Sequence, residues 1–135
     1  MPDQSLYRIL DADFNRAKEG LRVCEDICRY VWDEKNLTRG FKNARHDLTR
    51  TVEALGILKA LASRDIGGDI GRATTLSESA RKDIGAVFWA NAQRVKESLR
   101  VLEEIAKLID VQSAQHIKHL RYTIYALEQK ALKKF

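Results

Sequence analysis

The chain has 135 residues, 44% of them hydrophobic and 32% charged, a balance that suits one globular domain and excludes a disordered segment. A net charge of +5 attracts anions without saying whether they are nucleic acid or small phosphorylated molecules. No run approaches the ~18 apolar residues of a membrane span, and no cationic-then-apolar leader opens the sequence, so the expectation is a cytoplasmic protein with no membrane partner.

The first predicted helix runs from about Leu6 to Trp32. Along it Phe14, Ala17, Leu21, Cys24, Cys28 and Val31 recur in alternating steps of three and four. Cys24 and Cys28 would face the same way without pointing at each other, which suits a disulfide badly and reads as two small core residues. A second helix begins near Leu37 and passes through Arg45 to Leu55, with a break around Gly56. Then comes Arg64-Asp-Ile-Gly-Gly-Asp-Ile-Gly-Arg72, too rich in glycine for a helix interior, and residues 64–77 are expected to form a connecting loop. Ser77 is a candidate cap for a third helix spanning about Glu78 to Ile109. A fourth covers Ser113 to Lys133, capped by Asp110 or Ser113. No segment alternates with period two, so no sheet is predicted.

Residues 12–29 align without gaps onto 90–107, and nine of the eighteen positions are identical, among them Arg16/Arg94, Glu19/Glu97, Arg22/Arg100 and Glu25/Glu103. Lys42-x-x-Arg45 in the second helix is echoed by Lys118-x-x-Arg121 in the fourth. The repeat predicts an all-α domain over residues 1–135. Its four main helices form two related hairpins, each burying its apolar face against the other in a bundle.

On a helical wheel Arg16 falls between Val23 and Ile27, and Arg94 repeats this beside Val101 and Ile105. A guanidinium among aliphatic side chains needs an anion. Glu19 and Glu97, three residues on, are the expected internal partners. Ion pairs that fix helix packing are one reading; a phosphate clamp made by one arginine from each half is the other. Asn15, Glu19, Arg22 and Asp26 form a polar stripe, matched by Gln93, Glu97, Arg100 and Glu104, of the kind that usually faces solvent. In the glycine loop, Asp65 and Asp69 are candidate Mg²⁺ ligands and Arg64 and Arg72 candidate anion contacts, against a plain hinge between half-domains. His46, His116 and His119 lack a third ligand in register and are not expected to hold a metal. Neither a concentrated basic stripe nor a nucleic-acid-binding motif is present, so no nucleic-acid partner is expected.

Several separated motifs carry a family resemblance. These are Leu10-Asp-Ala-Asp-Phe-Asn-Arg-Ala-Lys-Glu-Gly-Leu-Arg-Val-Cys-Glu-Asp26, Arg45-His46-Asp47-Leu48, Arg64-Asp65 with Gly68-Asp69-Ile70-Gly71, Ala90-Asn91 with Arg94, Glu97 to Glu104, and Arg121-Tyr122 with Tyr125 and Glu128. Together they resemble the small single-domain hydroxymethylpyrimidine-phosphate kinases of thiamine biosynthesis, domains that occur alone or fused in front of a thiamine-phosphate synthase. The resemblance implies transfer of the γ-phosphate of ATP, with Mg²⁺, to 4-amino-5-hydroxymethyl-2-methylpyrimidine phosphate. It implies roles for Arg16 and Arg94 as phosphate clamps and for Glu19 and Glu97 in orienting them. Asn15 or Asn91 would contact the aminopyrimidine, Arg45 and Arg64 would bind phosphate or substrate, and Asp65 and Asp69 would hold the metal. Expected protein partners are a second copy of the chain or thiamine-phosphate synthase. The rival reading is a non-catalytic helical module that docks onto a thiamine-pathway enzyme. Asp13 departs from the family pattern, which typically has Asn there, so a substrate contact by that amide would be altered.

Overall fold

A computed structural model describes residues 3–73 and 80–135. Among these the chain is helical and contains no strand. Helix α1 spans Gln4–Asp26 and runs on into a π-helical turn, Ile27–Val31. Helix α2 spans Lys35–Leu55, α3 Ile57–Ala62, α4 Ile84–Ala106 and α5 Val111–Lys134. Acidic side chains cap four of the five: Asp3, Glu34, Asp83 and Asp110 each accept a backbone N–H from the first turn that follows, satisfying donors that have no partner within the helix.

Three boundaries differ from the sequence reading. Helix α4 starts at Ile84, where the Asp83 carboxylate accepts from Ala86 N at 2.8 Å; residues 80–83 are not helical. Ser77 and Glu78 lie outside the described residues. The break at Gly56 is followed by a short helix, α3, that the glycine-rich reading did not anticipate. Gly56 has φ +99°, a left-handed conformation that ends α2 and turns the chain back over α1. Finally, the π turn adds an extra residue to the helical path. Val31, expected on the apolar face, therefore projects into solvent, while Trp32 packs on the core and stacks on Phe135 with ring centroids 4.3 Å apart.

Four long helices form a square: α1 packs on α2 and α4, and α5 packs on the same two. Helices α1 and α4 run antiparallel, so Gly20 meets Asn91 and Val95 while the Cys24 thiol donates to the Phe88 carbonyl at 3.8 Å. A Cβ on Gly20 would come within 2.7 Å of Val95 Cγ2 and 3.1 Å of the Asn91 carbonyl, so glycine sets how closely these helices approach. The buried positions of α1 and its π turn (Leu10, Ala17, Leu21, Cys24 and Cys28) recur at equivalent places in α4 as Phe88, Val95, Leu99, Leu102 and Ala106. Both cysteines are free and buried. Burial pushes the Cys24 thiol well above its ordinary value and the Cys28 thiol up to about 12.

Two buried ion pairs bind the helices of each hairpin together. Arg45 Nε donates to Glu25 Oε1 at 3.1 Å across α1 and α2; Arg121 Nε and Nη2 donate to Glu103 Oε1 at 3.2 and 3.0 Å across α4 and α5. No helix among the described residues is long and apolar enough to cross a membrane.

Candidate active site

The N-terminal half of α1 and the segment that follows α3 enclose a cleft of about 520 Å³. Helix α1 contributes Arg8, Asp11, Asp13 and Arg16 to its lining; the segment contributes Arg64, Asp65 and Asp69. These sequences meet because Gly56 reverses the chain and α3 packs on α1, with Ala60 and Ser63 buried beneath.

One contact fixes the two walls. Arg64 grips Asp11 through two parallel hydrogen bonds, Nε to Oδ2 and Nη2 to Oδ1, each 2.7 Å. Such a bidentate pair fixes direction as well as distance. The hydrogen bonds to Asp11 raise the Arg64 pKa further above its already high value. Asn15 turns back along α1 and donates to the Asp11 backbone carbonyl at 2.9 Å, so its amide supports Asp11.

Asp13 is buried, and burial raises its pKa above the ordinary carboxylate value; Arg16 and a hydrogen bond to Ser98 oppose the shift without cancelling it. Here the structure corrects the sequence reading. Arg16 is not enclosed among aliphatic side chains: its side chain is 58% exposed, and Nη1 donates to Asp13 at 3.2 Å, with no ion pair to Glu19. The physical reason is direction. Side chains lean toward the N-terminus of their helix, and the buried carboxylate one turn back is the group most in need of a cation.

Asp65 Oδ1 accepts from Gly68 N at 2.8 Å and Asp69 Oδ1 from Gly71 N at 3.0 Å. Each keeps its Oδ2 without a protein partner among the described residues. Three arginines and four aspartates leave the cleft with one negative charge in excess. A polyphosphate would be repelled by that balance unless a cation entered with it, and hard carboxylate oxygens suit Mg²⁺, which is commonly held by one or two carboxylates plus phosphates. Among the described residues no group of three or more His, Cys, Asp or Glu side chains could hold a metal by itself.

The remaining sequence candidates lie elsewhere. Arg94 is exposed on α4 and does not line the cleft. Glu97, also exposed, accepts from Gln93 at 3.1 Å, and the Asn91 amide donates to the Val87 carbonyl of its own helix at 2.8 Å. Glu19 and Arg45 border a separate shallow groove between α1 and α2. Among the charged cleft residues, Arg8 and Asp11 were given no role from sequence, and Asp13 was noted only as a departure from the family pattern. Asp11 did carry a signal, since it adjoins Leu10 on the buried side of α1, and a carboxylate placed there requires a cation from another element.

Residues 8–130 match the ThiD2 family. The chain is similar to curated thiamine-phosphate synthases: 39% identical over 124 residues to that of Rhodopirellula baltica, 41% over 125 residues to that of Synechocystis sp., and 41% over 129 residues to that of Thermosynechococcus vestitus. These alignments cover 91%, 92% and 93% of the chain but only 33%, 35% and 35% of the relatives, so the chain spans about a third of their length. No solved structure matches.

Proposed function

Because the chain belongs to the ThiD2 family, we propose that it acts in thiamine biosynthesis as a kinase, passing the γ-phosphate of ATP to 4-amino-5-hydroxymethyl-2-methylpyrimidine phosphate. The observation that supports this most is the cleft itself. It combines three arginines with two aspartates whose second oxygens are unused, the donor set that phosphoryl transfer needs for charge neutralisation and positioning.

In this reading Asp65 and Asp69 would hold Mg²⁺, which would supply charge neutralisation for the phosphates of ATP. Arg16 and Arg8 face the phosphates from α1, and Arg64, held in place by Asp11, faces them from the opposite wall. Asp13 keeps Arg16 directed into the cleft. The acceptor is already a phosphate, so its oxygen needs no strong general base. Arg94, Glu97 and Asn91 lie outside the cleft, and roles for them would require a substrate that reaches across α4.

A second reading is a non-catalytic helical module docked onto a thiamine-pathway enzyme. It draws on the fact that the chain spans about a third of its thiamine-phosphate synthase relatives. The two separate in one assay: purified protein with ATP, Mg²⁺ and either the pyrimidine alcohol or its phosphate, followed by ADP release. The kinase reading expects ADP with the phosphate alone, abolished by chelation of the metal. No ADP with either acceptor leaves the docking module. If Arg16→Ala and Arg64→Ala both leave turnover unchanged, the arginine clamp is wrong.

A further inference from the structure

The two hairpins are built alike but finished differently, and the difference leaves one groove open. In the second hairpin Arg121 has its Nε and Nη2 on Glu103, and the nitrogen on its far side, Nη1, donates to the Tyr125 hydroxyl at 2.9 Å. Tyr122 packs edge-on against Tyr125, and the guanidinium lies over both rings. Lys96 of α4 is paired with Glu128 at 3.0 Å. Every cation bordering that groove thus has a partner within the hairpin.

In the first hairpin Arg45 holds Glu25 in the same manner, with Nε and Nη2 both 3.1 Å from Oε1. The register that aligns Lys42 and Arg45 with Lys118 and Arg121 also aligns the buried Phe41, Ala44 and Leu48 with Ile117, Leu120 and Ile124. It places Thr49 where the other half has Tyr125, His46 where it has Tyr122, and Val52 where it has Glu128. The Thr49 hydroxyl donates to the Arg45 backbone carbonyl at 3.1 Å and offers the guanidinium nothing. Arg45 Nη1 is consequently without an acceptor among the described residues, although the side chain is only 14% exposed. Lys18, the counterpart of Lys96, has no carboxylate partner and lies over the Phe14 ring at 5.4 Å. Beside Arg45, which no tyrosine covers in this half, there is a groove of about 250 Å³ lined by Lys18, Arg22, Arg45 and one carboxylate, Glu19; Arg22 also pairs with Asp26 at 3.5 Å.

From this asymmetry we infer that the α1–α2 groove is a second anion site, in which Lys18, Arg22 and Arg45 Nη1 bind a phosphate monoester or free phosphate. The geometry suits a tetrahedral dianion: the largely buried Arg45 offers an unused, solvent-reached donor beside Lys18 and Arg22, and Arg22 meets Asp26 through Nε alone, at 3.5 Å. Its size admits a phosphate group and not a whole nucleotide. The site shares no lining residue with the Arg64 cleft and does not depend on phosphoryl transfer taking place there.

The test is titration of the full chain with inorganic phosphate, without ATP or Mg²⁺, followed by amide chemical shifts. Expected are shifts centred on Lys18, Arg22, Arg45 and Thr49. Lys18→Gln should weaken binding about tenfold, the loss of one charge-assisted contact, and Thr49→Tyr, which rebuilds the plug of the other half, should abolish it. A parallel titration with the pyrimidine phosphate identifies the source. Affinity about tenfold above that for inorganic phosphate assigns the groove to a substrate's phosphate, equal affinity to the free anion; either result upholds the site. Binding unchanged in both variants, or shifts confined to the Arg64 cleft, overturns it. Absence of kinase activity would leave this result untouched.

Discussion

Replacing Arg121 with methionine probes what the buried ion pairs contribute. The Glu103 carboxylate is 4% exposed and receives both Nε and Nη2 of Arg121. Arg121→Met leaves that charge in the core, a change that ordinarily costs about 3–5 kcal/mol. The value should fall near the lower end, because Arg100 Nη1 lies 3.5 Å from the other carboxylate oxygen and can take part of the load. About 3 kcal/mol in a domain of this length corresponds to a fall in Tm of about 10 °C. Arg45→Met should cost more, since Glu25 has no second cation within ion-pair distance among the described residues. Replacing both members, Arg121→Met with Glu103→Leu, should recover most of the loss, because a packed apolar pair needs no desolvation of charge. Urea denaturation of the singles and the double at pH 7 measures the cycle. If Arg121→Met costs under about 1 kcal/mol, or if the double loses as much as the two singles added together, the carboxylate is not the buried, dependent group described above.

Asp13→Asn should stabilise the protein at neutral pH. The folded-state pKa of Asp13 is raised by burial, so wild-type stability from this group grows as pH falls through that pKa; the variant's advantage should shrink and vanish in mild acid, as thermal melts across pH will reveal. Arg64→Ala removes both the cleft's far wall and the partner of Asp11, and in the ADP assay it should reduce kcat/KM by about 100-fold, roughly 3 kcal/mol of transition-state stabilisation. Asp65→Asn combined with Asp69→Asn should shift the Mg²⁺ requirement to higher concentration while leaving the melting temperature nearly unchanged, since both side chains are exposed. Cys24 and Cys28 should resist a thiol reagent at pH 8 in the native state and react at once in denaturant, because burial keeps both thiols protonated. Gly20→Ala should destabilise the α1–α4 contact by about 1 kcal/mol net, overpacking outweighing the gain in helix propensity, and Val95→Ala in the same chain should recover the loss.

The long helices were legible because their burial pattern is written in the spacing of residues such as Phe14, Leu21 and Cys24, which a period of 3.6 brings to one face. Residues 64–73 are not helical, in keeping with three glycines in five residues. What spacing could not convey is which polar groups would meet across elements. Arg16 looked buried on an ideal wheel, yet its side chain is long enough to carry the guanidinium out to solvent. The Asp11–Arg64 pair joins residues 53 positions apart and forms only because Gly56 turns α3 back over α1, a conformation that a single glycine permits but does not announce. The π turn likewise leaves no mark in composition, and it alone decides that Val31 faces outward.

That left-handed residue at Gly56 also bears on how the molecule breathes. One wall of the cleft belongs to the bundle, but the other hangs on a six-residue helix whose burial rests largely on Ala60 and whose far end is tied down by the grip of Arg64 on Asp11. Detaching this arm exposes little apolar surface, so it should swing free at an energy far below that of global melting. Amide exchange would then divide into a quickly exchanging set over residues 57–69 and a slow set in the four long helices. The chain would open its mouth without loosening its frame.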